Sequence, residues 1–338
     1  MTTRPLPAEP GMHYLDFLAN DGCPLAFKSS LPLPSSPPPP SPKTCLLLLH
    51  GFSGSSSYFT RNYPALTAPA RTTTWVVAPD LRGHGRSGRP QHGYHVARLA
   101  MDLDNLVTHL RRTFPGTEDT KFIAVGCSIG AAVLWTHLEL FGGDSTTSPF
   151  AGFVFVDQAP LQDRAERFGW GKEMAHHGCY DEKTMLGAQE AWSERLEEAA
   201  RGLVEECLGY RAGVREGDKV VLKSEEWEDE EFFVGISKLC DGRWLARLIA
   251  DHTRYDHREA IELVRVPVMV MAAERSGCFS VDGMMETARR AEKGVGMKGR
   301  VFSEVFDAGH WLFYEQPEEF NQRLLKFVDF VMAEGEAS

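Results

Sequence analysis

The hydrophobic positions of this chain fall into short continuous runs that alternate with longer helix-like segments. The continuous apolar runs are typical of strands buried on both faces of a sheet. They cover residues 45–51, 74–80, 121–126, 152–157, 266–273 and 300–306. The helix-like segments cover residues 94–112, 128–141, 281–293 and 317–332. Strands that alternate with helices predict an α/β fold with a mostly parallel, doubly wound sheet that helices cover on both faces.

Three regions depart from this alternation. Two short strands, 12–18 and 24–28, are predicted around a turn at Asn20-Asp21-Gly22. Residues 30–43 are rich in proline, which predicts an extended surface loop because proline cannot donate to a strand ladder. Residues 161–263 contain helical patterns and no long buried-strand run, so they predict a helical lid inserted into the sheet domain. The predicted core therefore consists of residues 1–160 and 264–338.

Polar residues of types that can take part in catalysis or binding lie at the carboxyl ends of the predicted strands. Ligands of open parallel sheets bind beyond these ends. The residues are His50, Asp80, Ser128, Asp157 and Glu274, with His310 after the last strand. Their shared position predicts one functional site at this edge of the sheet.

The stretch Val125 to Gly130, with the sequence VGCSIG, fits the G-x-S-x-G pattern of a nucleophile elbow. In that motif a serine lies on a strained turn between a strand and a helix, so only small residues fit two positions before and after it. Ser128 follows a predicted buried strand and precedes a predicted helix, which is the context that the motif requires. A helix N-terminus also directs backbone N–H groups toward an oxyanion.

Four segments carry a resemblance to a known family: LLLLHGFSGSS, APDLRGHGRSG, VGCSIGAA and DAGHW. Through them the chain resembles the α/β-hydrolase superfamily over most of the sequence outside the lid and the proline-rich loop. The resemblance implies that Ser128 is the nucleophile and His310 its base. It also implies that the backbone N–H groups of Phe52 and Ile129 form the oxyanion hole. The segment DLRGHGRS is a structural signature in this superfamily, so Arg82 and His84 are expected to serve packing.

The carboxylate partner of His310 has two candidates. A histidine base needs a carboxylate that orients the imidazole and stabilises its charged form. Most relatives carry this acid after the strand that follows the lid, where this chain has Glu274 and lacks the usual aspartate. Some superfamily members carry it after the strand before the lid, where this chain has Asp157. We expect Asp157 to be the acid and keep Glu274 as the alternative.

The serine at the elbow narrows the predicted chemistry. Haloalkane dehalogenases and epoxide hydrolases of this superfamily use an aspartate there, so Ser128 favours acyl-type hydrolysis. We expect a small or medium-sized, largely apolar carboxylic ester or lactone as substrate. Aromatic residues that could line its pocket, although such residues are more often part of a core, are Phe52, Trp170, Tyr180, Trp244 and Trp311. Two alternatives stay open: a cofactor-free dioxygenase that uses a His–Asp dyad, and a non-catalytic ligand-binding protein.

Charge and cysteine content limit the classes of partner. A formal net charge of −11 argues against a nucleic-acid surface, which would need a basic stripe. No apolar stretch approaches the length of a membrane helix, and the start lacks the pattern of a secretory signal. The seven cysteines show no paired CxxC spacing, so we expect reduced thiols in a cytoplasmic protein, with no zinc site and no cofactor.

Overall fold

The sheet predicted from the sequence is present in the structure, a computed structural model that describes residues 9, 11–33, 41–71, 73–143, 148–164, 180–212, 224–296 and 299–337. Within these residues the strands are β1 His13–Leu18, β2 Pro24–Ser29, β3 Thr44–Leu49, β4 Thr74–Pro79, β5 Lys121–Cys127, β6 Phe150–Val156, β7 Val268–Ala273 and β8 Val301–Phe306. Every predicted strand is confirmed, and its bounds shift by at most two residues.

The strands of this sheet have the order β1-β2-β4-β3-β5-β6-β7-β8. Strand β2 pairs antiparallel with both β1 and β4. All pairs from β4 to β8 are parallel, so the carboxyl ends of β3 to β8 meet at one edge. The predicted mostly parallel sheet is therefore confirmed.

Helices pack against both faces of the sheet. In the described part of the chain they are α1 Tyr63–Leu66, α2 Val96–Thr113, α3 Ile129–Phe141, α4 Glu182–Glu194, α5 Leu196–Cys207, α6 Ser224–Ser237, α7 Gly242–Arg254, α8 Arg258–Ile261, α9 Val281–Val295, α10 Leu312–Glu315 and α11 Pro317–Ala337. Leu47 and Leu49 enter one buried cluster, whereas Leu46 and Leu48 enter another on the opposite face. Because β3 is buried on both faces, its sequence does not alternate between polar and apolar residues.

Helices α4 to α8 lie in the chain between β6 and β7, where the sequence predicts a helical insertion. Within this insertion α4 and α5 are separate helices, because the backbone at Arg195 has φ −135° and ψ 53° and separates them. Residues 165–179 and 213–223 of the predicted lid lie outside the described residues, as do residues 34–40 of the proline-rich loop. The lid boundaries stay a prediction.

Arg82 and His84, in the loop after β4, are packed in the protein interior, as the sequence predicts. The Arg82 side chain has no exposed surface and forms ion pairs with Asp21 and Asp102 at 2.8 and 2.7 Å. The His84 imidazole is also buried, and burial lowers its pKa to about 3. Both side chains therefore fix the loop that follows β4. None of the helices described for this chain combines the length and apolar character needed to cross a bilayer.

Candidate active site

Ser128 lies on a sharp turn between β5 and α3. Its backbone has φ 53° and ψ −125°, a conformation that L-residues rarely adopt. The chain is tightly packed on both sides of this turn. A Cβ on Gly126 would lie 2.5 Å from the Ala131 nitrogen, and a Cβ on Gly130 would lie 2.7 Å from the Leu49 oxygen. Glycine is therefore required at both positions, which is the physical basis of the G-x-S-x-G pattern.

We expect Gly130→Ala to lower the free energy of unfolding by about 1 to 3 kcal/mol, because its methyl group would meet backbone atoms that cannot move aside. Gly202→Ala is the matched control, since a Cβ on this exposed α5 glycine has nothing within 4 Å. That change should stabilise the protein by up to about 1 kcal/mol through helix propensity. Urea denaturation measures both. Equal unfolding midpoints for the two variants would contradict the close packing around the elbow.

Backbone strain is concentrated at one edge of the sheet. Among the described residues other than glycine, only Ser53, Ser128 and Asp157 have positive φ, with values of 55°, 53° and 43°. Ser53 follows β3, Ser128 follows β5 and Asp157 follows β6. Strained residues that cluster in this way point to a functional site, because the surrounding structure must hold them in unfavourable conformations.

His310 and Asp157 form a close buried pair at this edge. Nδ1 of His310 lies 2.6 Å from Oδ2 of Asp157, and both side chains are buried. The other carboxylate oxygen, Oδ1, accepts a hydrogen bond from the Ala273 N–H at 3.0 Å. The end of β7 therefore orients the carboxylate, and the carboxylate in turn orients the imidazole. Nε2 is therefore the ring nitrogen that can act as a base.

The two candidate acids differ in their surroundings. Asp157 has no exposed surface and contacts His310 directly. Glu274 is exposed, and its backbone N–H donates to the Phe306 carbonyl as the chain leaves β7. Of the two, the structure brings only Asp157 into contact with the histidine.

Ser128 and His310 line the same small cavity, whose volume is about 40 Å³. The lining residues from the strand-end loops are Gly51, Phe52, Ser128, Cys278, Phe279, His310 and Trp311. The lining residues from the chain between β6 and β7 are Gln162, Tyr180, Leu203, Cys207, Ile249 and His252. A larger groove of about 720 Å³ lies near the amino ends of β3 and β5, but none of its lining residues is a histidine. The small cavity is therefore the candidate active site.

The backbone around Ser128 offers two N–H groups that could bind an oxyanion. Ile129 begins α3, and the first N–H groups of a helix have no partner within it. The loop that contains Phe52 lies against the serine, since a Cβ on Gly51 would be 3.3 Å from the Ser128 Cβ. Neither the Phe52 nor the Ile129 N–H donates a hydrogen bond to any described residue.

The aromatic residues predicted to contact substrate lie in different places in the structure. Phe52, Tyr180 and Trp311 line the cavity. Trp170 lies outside the described residues. Trp244 is not among the described residues that line the cavity, and its fully buried side chain has ring contacts with His84 and Tyr94. Trp244 lies in the first turn of α7, and its contact with His84 places it against the loop after β4.

Two polar residues near the site had no signal in the sequence. The Ser128 hydroxyl faces Oε1 of Gln158 at the long distance of 3.5 Å. His252 of α7 lines the cavity, and neither of its ring nitrogens has a hydrogen-bond partner among the described residues. Burial lowers the pKa of His252 to about 3, so its neutral imidazole can offer one donor and one acceptor. A single histidine within a helix matches no sequence motif, so His252 could not be predicted from the sequence.

With this geometry established, comparison with known proteins defines the family. Residues 46–323 match the model of the alpha/beta hydrolase family. The chain belongs to the α/β-hydrolase family. A soluble epoxide hydrolase from Corynebacterium sp. (strain C12) is 43% identical to this α/β hydrolase over 65 residues, which are 19% of this chain and 21% of the relative. The matching region is thus only a small part of that relative's length.

Solved structures share the fold of this α/β hydrolase. An esterase from Exiguobacterium antarcticum superposes with a TM-score of 0.71 and 14% identity, over 93% of this chain and 98% of the esterase. A bromoperoxidase from Bacillus anthracis superposes with a TM-score of 0.70 and 17% identity, over 93% of this chain and 100% of the bromoperoxidase chain. At such low identity these similarities establish the fold alone. The family assignment and the fold identify an enzyme of the α/β-hydrolase type.

Proposed function

We propose that this α/β hydrolase cleaves small or medium-sized, largely apolar carboxylic esters or lactones through an acyl-enzyme on Ser128. The observation that carries the proposal is the buried His310–Asp157 pair, with 2.6 Å between Nδ1 and Oδ2, since His310 lines the same cavity as Ser128. A nucleophile, a base and an acid that orients the base are the parts that serine hydrolysis needs.

In the proposed reaction, Nε2 of His310 accepts the Ser128 proton as the serine oxygen attacks the substrate carbonyl. Asp157 stabilises the imidazolium that forms. The imidazolium then gives its proton to the departing alcohol, which leaves an acyl group on the serine. Water, activated by the same histidine, hydrolyses this ester and regenerates the enzyme.

The tetrahedral intermediates of both half-reactions carry a negative oxygen. The backbone N–H groups of Phe52 and Ile129 are the proposed donors to it. Their lack of acceptors among the described residues supports this role. The N-terminus of α3 adds a positive dipole end at the same position. Donors fixed in advance lower the barrier because they need no reorganisation during the reaction.

The cavity walls support an apolar substrate with a limited polar part. Phe52, Leu203, Ile249 and Phe279 supply an apolar lining, and the neutral His252 supplies one polar contact. A volume of about 40 Å³ holds about three water molecules. A small or medium-sized ester is larger than this volume, so the cavity must widen when the substrate binds.

The identity of the nucleophile separates this proposal from the activity of the epoxide hydrolase relative. Enzymes of that type use an aspartate at the elbow, where this chain has Ser128. The neighbouring Cys127 is a poor alternative, because burial raises the pKa of its thiol well above the usual range. Both points favour the serine.

Treatment with a fluorophosphonate, followed by mass spectrometry, tests the proposal directly. We expect one phosphonyl group per chain on Ser128, because only an activated serine reacts at an appreciable rate. Heat-denatured protein is the control and should remain unlabelled. An unlabelled native protein that binds apolar ligands tightly without turnover would instead indicate a ligand-binding role.

A cofactor-free dioxygenase is the second candidate. The position of Asp157 after β6, before the insertion, favours it, since such dioxygenases of the superfamily place their acid there. Oxygen uptake with a heteroaromatic substrate, in a protein that no fluorophosphonate labels, would select this function over ester hydrolysis.

A further inference from the structure

Two cysteines and the candidate catalytic histidine meet at one wall of the cavity. Cys207 ends α5, Cys278 lies between β7 and α9, and His310 follows β8. The two sulfurs are 3.7 Å apart, and they lie within 4.8 Å of a ring nitrogen of His310. The three side chains come from distant parts of the sequence, so their meeting is a product of the fold.

The spacing of these atoms matches a tetrahedral zinc site. With Zn–S bonds of about 2.3 Å, a tetrahedral Zn²⁺ holds two sulfurs about 3.8 Å apart and a histidine nitrogen about 3.6 Å from each sulfur. The observed Sγ to Sγ distance of 3.7 Å needs no change. The separation between the histidine nitrogen and the sulfurs, at most 4.8 Å, must shorten by up to about 1.2 Å for all three atoms to bond one ion.

His310 is already oriented as a metal ligand. Histidines that bind metals usually donate their other ring N–H to a carboxylate, which fixes the tautomer and the ring plane. Nδ1 of His310 lies 2.6 Å from Asp157, so Nε2 is the nitrogen left for an ion. The Asp157–His310 pair therefore suits metal binding as well as proton transfer.

The charge balance and the surrounding backbone also favour an ion here. Two thiolates neutralise a divalent cation, so the occupied site would add no net charge to a cavity with mostly apolar walls. The segments that carry the cysteines are joined, since the Gly277 N–H donates to the Glu206 carbonyl at 2.9 Å. The Cys278 N–H donates to Oγ of Ser276 at 3.2 Å. The two ligand-bearing segments are thus held together before an ion binds.

We propose that Cys207, Cys278 and His310 bind Zn²⁺, and that this binding inhibits the hydrolase by occupying Nε2 of the base. Both thiols release their protons to solvent as the ion binds, and a water molecule completes the tetrahedron. Thiolate ligands select soft or borderline ions such as Zn²⁺ over Mg²⁺ and Ca²⁺. The inhibitory effect rests on the proposed function, whereas the ion site itself does not.

Direct binding is measured with CoCl₂, whose thiolate complexes absorb light through charge transfer, in reduced protein freed of metal. We expect this absorption in the wild-type protein and its displacement by ZnCl₂. Cys207→Ser and Cys278→Ser should each weaken Zn²⁺ binding by at least about tenfold, since even partners of metal ligands contribute 10- to 100-fold. Cys23→Ser is the matched control, because this buried cysteine immediately precedes β2 and neither lines the cavity nor belongs to the cluster. Circular dichroism shows that each variant is folded.

Inhibition is measured on an ester substrate, with each variant compared with its own metal-free rate. The half-inhibitory Zn²⁺ concentration should rise at least about tenfold in the two cysteine variants and stay unchanged in Cys23→Ser. No cobalt–thiolate absorption in the wild-type protein, or equal binding in all variants, would overturn the ion site. Cobalt binding to a protein that never hydrolyses esters would preserve the ion site and reject the serine hydrolase.

Discussion

Ser128→Ala should reduce ester hydrolysis by at least about 10⁴-fold. Loss of the nucleophile in serine hydrolysis removes the acyl-enzyme route and leaves only the contribution of the oxyanion hole and of binding. The fold should survive, since alanine has the same backbone restrictions as serine at φ 53°, and among the described residues the lost hydroxyl makes only a 3.5 Å contact with Gln158. Initial rates with a p-nitrophenyl ester measure the effect.

Two further variants sharpen this test. Ser193→Ala removes an exposed hydroxyl from α4 and should keep the wild-type rate. His310→Ala should be nearly as damaging as Ser128→Ala, and the double variant should be little worse than either, because residues that act as one unit are not additive. A Ser128→Ala rate within a few-fold of wild type would reject the serine as nucleophile. Additive losses in the double variant would reject its coupling to His310.

The sequence predicted the sheet and the elbow because their determinants are local. A strand buried on both faces is a continuous apolar run, and β3 shows this directly with Leu46 to Leu49. The elbow needs Gly126 and Gly130 within a few residues of Ser128, so its pattern is visible without the fold. The catalytic role of Ser128 itself stays a prediction until it is measured.

The rest of the site depends on contacts that no local pattern encodes. Asp157 and His310 are 153 residues apart, and only the meeting of β6 and β8 with β7 brings them together. Cys207 and Cys278 are 71 residues apart, so a search for CxxC spacing could not find them. An amphipathic pattern shows that a helix has a buried face without showing what it faces. The sequence around Trp244 therefore could not show that its ring packs against His84 and Tyr94.

The acid can be identified by comparing Asp157→Asn with Glu274→Gln on one substrate. Oδ1 of Asp157 accepts a hydrogen bond from the Ala273 N–H, and an asparagine would turn its own carbonyl oxygen toward that donor. Its NH₂ group would then face Nδ1 of His310 and would need a lone pair there. The imidazole would carry its proton on Nε2, the nitrogen that must accept the proton of Ser128.

We therefore expect Asp157→Asn to lower turnover by about 10²- to 10⁴-fold, as expected for a histidine held in the wrong tautomer. The fold should persist, because asparagine tolerates the positive φ of 43° at this position. Glu274→Gln changes an exposed side chain and should cost less than about tenfold. Nitrogen-15 NMR of His310 reports the tautomer independently of activity, and circular dichroism reports folding. If Glu274→Gln is the inactive variant, the acid follows β7 instead. If neither change matters, Ser128 and His310 act without a carboxylate.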